Sequence, residues 1–147
     1  MGLFGKLKGA VSGSANKFAG RTDFLEAVAA SAAYIATADG SASDVEMEET
    51  LKVVMSLPEL TAGFNDRQIS DAVATMFKRA EGGLVGRMKL LNELDDVKKD
   101  ANAGDMCEVI LVTAIQIAAA DDDIGEKEMA AMEKVAMRLG LKLDKYM

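Results

Sequence analysis

The sequence predicts an all-α protein: a compact bundle of about seven helices built on two pseudo-symmetric helix-loop-helix repeats, with no sheet. Three observations predict it. Proline occurs once and aromatics make up 5% of the 147 residues, against ten methionines and abundant alanine, a composition that favours helices. No window alternates apolar and polar residues with period two. The chain also repeats itself. Laying residues 23–55 over 105–137 brings Asp23, Glu26, Ala32, Ile35, Ala36, Ala38, Asp39, Glu46, Met47, Lys52, Val53 and Met55 onto identical residues 82 positions further on. The length suits one domain, expected over 21–147, behind a basic amphipathic arm over 1–20.

In the arm, Leu3, Phe4, Leu7, Val11 and Phe18 fall near one helical face with lysines beside them. That pattern suits a helix docked on the domain or lying on an anionic membrane. Gly2, Gly5, Gly9 and Gly13 each weaken such a helix by about 1 kcal/mol against Ala. The arm lacks the continuous apolar stretch of a secretory signal. Lys6 departs from the myristoylation pattern.

Each repeat reads as helix, short loop, helix. Asp23 and Asp105 are the expected N-caps, with Glu26 and Glu108 at capping-box spacing. The first helices, 27–38 and 109–120, are nearly all apolar. At twelve residues they are too short to span a bilayer and are expected side by side at the centre of the domain. The second helices start near Ser43 and Gly125. Their apolar faces carry Val45, Leu51, Val54 and Met55 in one copy, and Met129, Met132, Val135, Ala136 and Leu139 in the other, which Gly140 ends. Between the copies, Pro58 and Gly63 break the chain. Asp66 caps a helix carrying Ile69, Val73, Met76 and Phe77, which Gly82 and Gly83 end. A helix over 84–99 turns Met88, Leu91, Leu94 and Val97 inward.

The absence of histidine excludes imidazole-based triads and His-containing zinc sites. Cys107 stands alone, so no disulfide forms within the chain. The net charge of −7 is uneven. Residues 1–21 hold Lys6, Lys8, Lys17 and Arg21 and no acid, so the remaining 13 basic and 24 acidic residues give −11. Such a body does not suit nucleic acid; it suits cations or a basic partner.

The candidate chemistry sits in the two inter-helix elbows. The first carries Asp39, Asp44 and Glu46; the second carries Asp121, Asp122, Asp123, Glu126 and Glu128. Asp44, Glu46, Glu126 and Glu128 open helices, where acids are favoured. Asp39 and Asp121 follow helix ends, where a carboxylate is disfavoured by roughly 0.3–1 kcal/mol. If the pseudo-twofold joins the elbows, crowded carboxylates and helix-end carbonyls make an oxygen-only site for a hard divalent cation, Ca²⁺, Mg²⁺ or Mn²⁺. Neither loop is an EF-hand, because Thr50 and Met132 stand where its bidentate Glu belongs. The plainer reading is an Asp-Gly turn followed by helix caps. Paired carboxylates also suit a hydrolase, but no aromatic platform accompanies them. No organic cofactor is expected.

The elbows A-T-A-D-G at 36–40 and A-A-A-D-D-D-I at 118–124, with Glu46 and Glu128 seven residues after the first Asp of each, resemble the tellurite-resistance TerB family. So do the opening G-L-F-G-K-L-K-G-A and the closing R-L-G-L. The resemblance implies an all-helical cytoplasmic stress protein, peripheral at most to the inner face of the membrane. Its partners would be other tellurite-resistance proteins, including a membrane-embedded one. It further implies a divalent-metal cluster at Asp39, Asp44, Glu46, Asp121, Glu126 and Glu128. This chain departs at Asp122, where the family's second elbow has Gly, and so gains a carboxylate. Tellurite itself is an oxyanion that an acidic body repels. The function expected is therefore a non-enzymatic, metal-linked interaction module. The alternative is a peripheral membrane adaptor acting through residues 1–20 without metal.

Overall fold

A computed structural model of the chain describes residues 18–121 and 124–147, with Asp121 described for its backbone alone. Among the described residues, seven α-helices follow one another: α1 (Thr22–Ala36), α2 (Asp44–Met55), α3 (Pro58–Thr61), α4 (Asp66–Ala80), α5 (Gly83–Val97), α6 (Ala103–Ala118) and α7 (Glu126–Leu139). Two 3-10 turns, Ala119–Asp121 and Leu143–Lys145, follow α6 and α7, and the described residues contain no strand. None of these helices is long and apolar enough to cross a membrane.

The arm expected as one of seven helices lies outside the described residues up to position 17. Among the described residues, the short α3, which was not expected as a helix, brings the number to seven. Pro58, expected to break the chain, starts this helical turn; its ring fixes φ at a helical value where no N–H is required.

α1 is the centre of the bundle and touches α2, α4, α5, α6 and α7. Every residue from Ala27 to Ile35 is buried, as is every residue from Val109 to Ile115 in α6. The small side chains of α1 let its neighbours approach on all sides. The polar exceptions satisfy themselves within their own helices. Ser31 donates to the Val28 carbonyl at 3.0 Å and Thr113 to that of Val109 at 2.8 Å, which removes the cost of burying a lone hydroxyl.

The repeats make reciprocal contacts. Each first helix packs on its own second helix and also on the second helix of the other copy, α1 on α7 and α2 on α6. α5 runs antiparallel to α1, pinned at one end by Arg87 on Thr37 and at the other by the Arg21–Asp100 ion pair at 2.9 Å.

Several helix starts differ from expectation. α1 is preceded by Arg21 and α6 by Asn102, so Asp23 and Asp105 lie within first turns rather than at caps. Tertiary contacts set these starts. Phe18 is fully buried, with its ring 4.7 Å from that of Phe24, and its carbonyl accepts from the Arg21 N–H. Asp100, held by Arg21, accepts from the Asn102 N–H at 2.8 Å. Asn65, not Asp66, caps α4 through a reciprocal box with Gln68. Ser43 caps α2 as expected, and Gly140 ends α7 at φ 75°. Val45 and Met88, expected inward, are 63% and 49% exposed; each sits in a first or second turn, where one residue of helical phase decides the face.

At the α1 start, Glu26 shares its surroundings with several acids. Burial, then the charges of Glu93, Asp23 and Asp96, hold its carboxyl above the usual value, while Arg79 pulls the other way. The native state therefore keeps this proton to higher pH than the unfolded chain does. Its stabilising contribution is full below pH 4.5 and is lost as pH rises through the native pKa. Glu26→Gln should raise the melting temperature at neutral pH, and the gap should close towards about pH 4. Thermal melts of both proteins at the two pH values check this.

Candidate functional site

The two elbows meet. An open cleft of about 100 Å³ is lined by Asp39, Glu46, Glu49 and Thr50 from the first repeat and by Ala120 and Glu128 from the second. Ala36, Val53 and Ile117 form its apolar wall. Glu46 and Glu128 are equivalent positions of the repeat, so the pseudo-symmetry brings matched carboxylates to one place.

The loop chemistry positions them. In the first elbow, Gly40 adopts φ 91°, a left-handed turn that suits glycine. Its N–H returns to the Thr37 carbonyl at 2.9 Å. Asp39 Oδ1 accepts from the Ser41 N–H at 3.0 Å, closing an Asx turn. Glu46 Oε1 accepts from the Ser41 and Ser43 hydroxyls at 2.5 and 3.0 Å and from the Ser43 N–H at 3.4 Å, while the Ser43 hydroxyl accepts from the Glu46 N–H. In the second elbow, Glu128 Oε1 accepts from the Gly125 N–H at 3.2 Å. In all three carboxylates these bonds fall on a single oxygen.

Not all the expected residues converge. Asp44 and Glu126 are exposed in the first turns of α2 and α7 and stand outside the cleft, because the first helical residue points away from the loop that Glu46 and Glu128 close. The Asp121 side chain, Asp122 and Asp123 lie outside the described residues. Among those described, no three acidic side chains form a group arranged to hold a metal ion.

Two contributors were not anticipated. Glu49 adds a fourth carboxylate from the turn after Glu46; i, i+3 spacing was the available signal. Arg87, from α5, occupies the end of α1. Its guanidinium donates to the Tyr34 carbonyl at 3.2 Å and to the Thr37 carbonyl and hydroxyl at 3.3 and 2.8 Å, and lies 4.0 Å over the Tyr34 ring. The helix-end carbonyls expected to attract a metal at the first elbow are therefore already served by a cation. The Thr37 hydroxyl also donates to the Ala33 carbonyl at 2.7 Å.

Cys107 is buried, and burial pushes its thiol up, so it is poorly suited to redox chemistry. Near the chain end, burial, the Glu108 charge and a hydrogen bond to Glu108 push the Tyr146 hydroxyl up.

An all-helical bundle whose two helix-loop-helix repeats turn their acidic elbows onto one cleft defines a recognisable class of domain. The family model described as tellurite resistance protein TerB matches residues 25–146, and the chain belongs to this family. No curated protein and no solved structure matches it. Membership ties the protein to tellurite resistance.

Proposed function

We propose that this protein is a non-enzymatic binding module of a tellurite-resistance system, in which the acidic cleft takes a divalent cation and passes that state to a protein partner. The observation that carries the reading is the lining of one cleft by Glu46 and its repeat-mate Glu128, with Asp39 and Glu49 beside them. The donor chemistry suits Ca²⁺, Mg²⁺ or Mn²⁺, since the polar lining is carboxylate apart from Thr50. The described carboxylates alone do not close a coordination sphere, so residues 121–123 would supply the remaining ligands. A volume of about 100 Å³ suits a hydrated ion; small-molecule sites run to roughly 300–1,000 Å³. The partners proposed are other proteins of the tellurite-resistance system, a membrane-embedded one among them.

Calorimetry with Ca²⁺, Mg²⁺ and Mn²⁺ tests the reading. Wild type should give a saturable heat with at least one ion. Asp39→Ala/Asp121→Ala should bind at least about tenfold more weakly, whereas Asp44→Asn/Glu126→Gln should change little. Equal heats from wild type and the alanine pair would remove the site. The alternative, an adaptor working through residues 1–20 without metal, is weakened by Phe18, whose ring is committed to the core.

A further inference from the structure

The corner between α4 and α5 carries a feature that the acidic cleft does not use. Leu84, Val85 and Met88 are 81%, 67% and 49% exposed. Their spacing puts them within about 100° of arc on α5. The core-facing residues Gly86, Leu90, Leu94 and Val97, together with Arg87, occupy the other side of the same helix.

Residues 78–89 contain Lys78, Arg79, Arg87 and Lys89 against Glu81 alone, in a chain of net charge −7. Arg79 is paired with Glu93 at 2.6 Å and Arg87 serves the end of α1, so Lys78 and Lys89 are the cations left to flank the apolar tip. Lys78 and Lys89 are exposed. Each of the other long helices places Asp or Glu in its first turn; α5 places none there, and its N-cap, Gly82, offers no side-chain cap. The positive end of the α5 dipole therefore has no carboxylate within its own first turn, where the exposed apolar side chains begin; Glu81, just before the cap, is the nearest acid in sequence.

We infer that the α4–α5 corner is a docking surface for an anionic phospholipid membrane, with Leu84, Val85 and Met88 entering the headgroup boundary and Lys78 and Lys89 facing lipid phosphates. Exposed apolar groups flanked by cations are the pattern of interfacial binding. A second copy of the chain is a poorer occupant. Three side chains expose on the order of a few hundred Å², whereas a specific protein interface needs roughly 1,000 Å² or more. The acidic elbows share this end of the bundle, but they adjoin α1, on the side of α5 that Arg87 faces. Gly63, just before α4, packs on the backbone of Ala19 and Gly20, so the first described residues of the chain lie at the opposite end of α4 from the corner, about 20 Å away.

Co-sedimentation of the full chain with phosphatidylglycerol vesicles tests this, with phosphatidylcholine vesicles as the neutral control. Wild type should bind the anionic vesicles, lose binding at high salt, and ignore the neutral ones. Leu84→Ser/Val85→Ser should cut the bound fraction at least about fivefold with its melting temperature unchanged, because both side chains are exposed. Lys6→Gln/Lys8→Gln should leave most of the binding. The inference is overturned by any of three results: no binding by wild type, equal binding by the serine variant, or loss of binding in the arm variant alone. A concentration-dependent dimer that the serine variant abolishes would reassign the corner to self-association, and would equally overturn it.

Discussion

Gly86→Ala should destabilise the protein by about 3 kcal/mol, although alanine in a helix interior ordinarily gains about 1 kcal/mol over glycine. A Cβ at Gly86 would lie 1.8 Å from the Arg79 carbonyl oxygen and 3.0 Å from its carbon. Backbone, not a flexible side chain, stands in the way. The Arg79 carbonyl already accepts from the Gly82 N–H at 3.0 Å, so it cannot turn aside without opening the corner. Relief requires α5 to move off α4, and α5 also lies against α1. At 2–4 °C per kcal/mol for a chain of this size, melting should fall by roughly 6–12 °C. Gly104→Ala is the matched control: a Cβ there meets nothing within 4 Å, and a gain of about 0.5 kcal/mol is expected. Urea melts of the two variants should move in opposite directions. A Gly86→Ala protein as stable as wild type would show that the helix crossing is looser than described.

Arg87→Ala should cost about 2–3 kcal/mol. The guanidinium supplies the cation that the end of α1 lacks in its own sequence, since α1 has no basic residue in its last turn. Removing it withdraws three hydrogen bonds and the stacking on Tyr34, each worth roughly 0.5–1.5 kcal/mol or more when charge-assisted. The contributions overlap, so their sum is an upper bound. Arg87→Lys should recover less than half, because an ammonium cannot span two carbonyls while stacking on a ring. Amide exchange should quicken at Ala38 and Gly40, whose N–H groups bond back to Ile35 and Thr37. Unaltered exchange there in Arg87→Ala would separate the arginine from the elbow.

These two neighbouring residues also show where sequence reading stops. The bundle and the repeat were legible because they rest on local patterns: apolar first helices, and Asp, Glu, Met and Lys matches at a fixed offset. The meeting of the elbows was legible only as a condition on the pseudo-twofold, because no local pattern puts two loops 82 residues apart side by side. Ser43 and Gly140 were legible because caps and stops are local chemistry. Arg87 was not, because its partners at Tyr34 and Thr37 lie about fifty residues away, and nothing near position 87 distinguishes a helix-end clamp from a solvated arginine. Gly86 reads as a weak spot in a helix until the Arg79 carbonyl is seen beneath it. The starts of α1 and α6 were misplaced for the same reason: Phe18 on Phe24 and Asp100 on Arg21 override the caps that Asp23 and Asp105 advertise. At the cleft, Glu46 and Glu128 were legible as a matched pair. Asp44 and Glu126 are also repeat-mates, yet lying two residues earlier, about 200° of helical phase, points them outward.

The burial of Cys107 has a practical consequence. The only native thiol is shielded and poorly ionised, so maleimide or nitroxide reagents have little to attack in the folded wild type. A single cysteine introduced at an exposed position of either elbow, or at Leu84, would then take a label cleanly. Spin labels paired across the two bends, or an environment-sensitive dye on the corner, can report ion uptake and vesicle contact in solution without first engineering the native cysteine away.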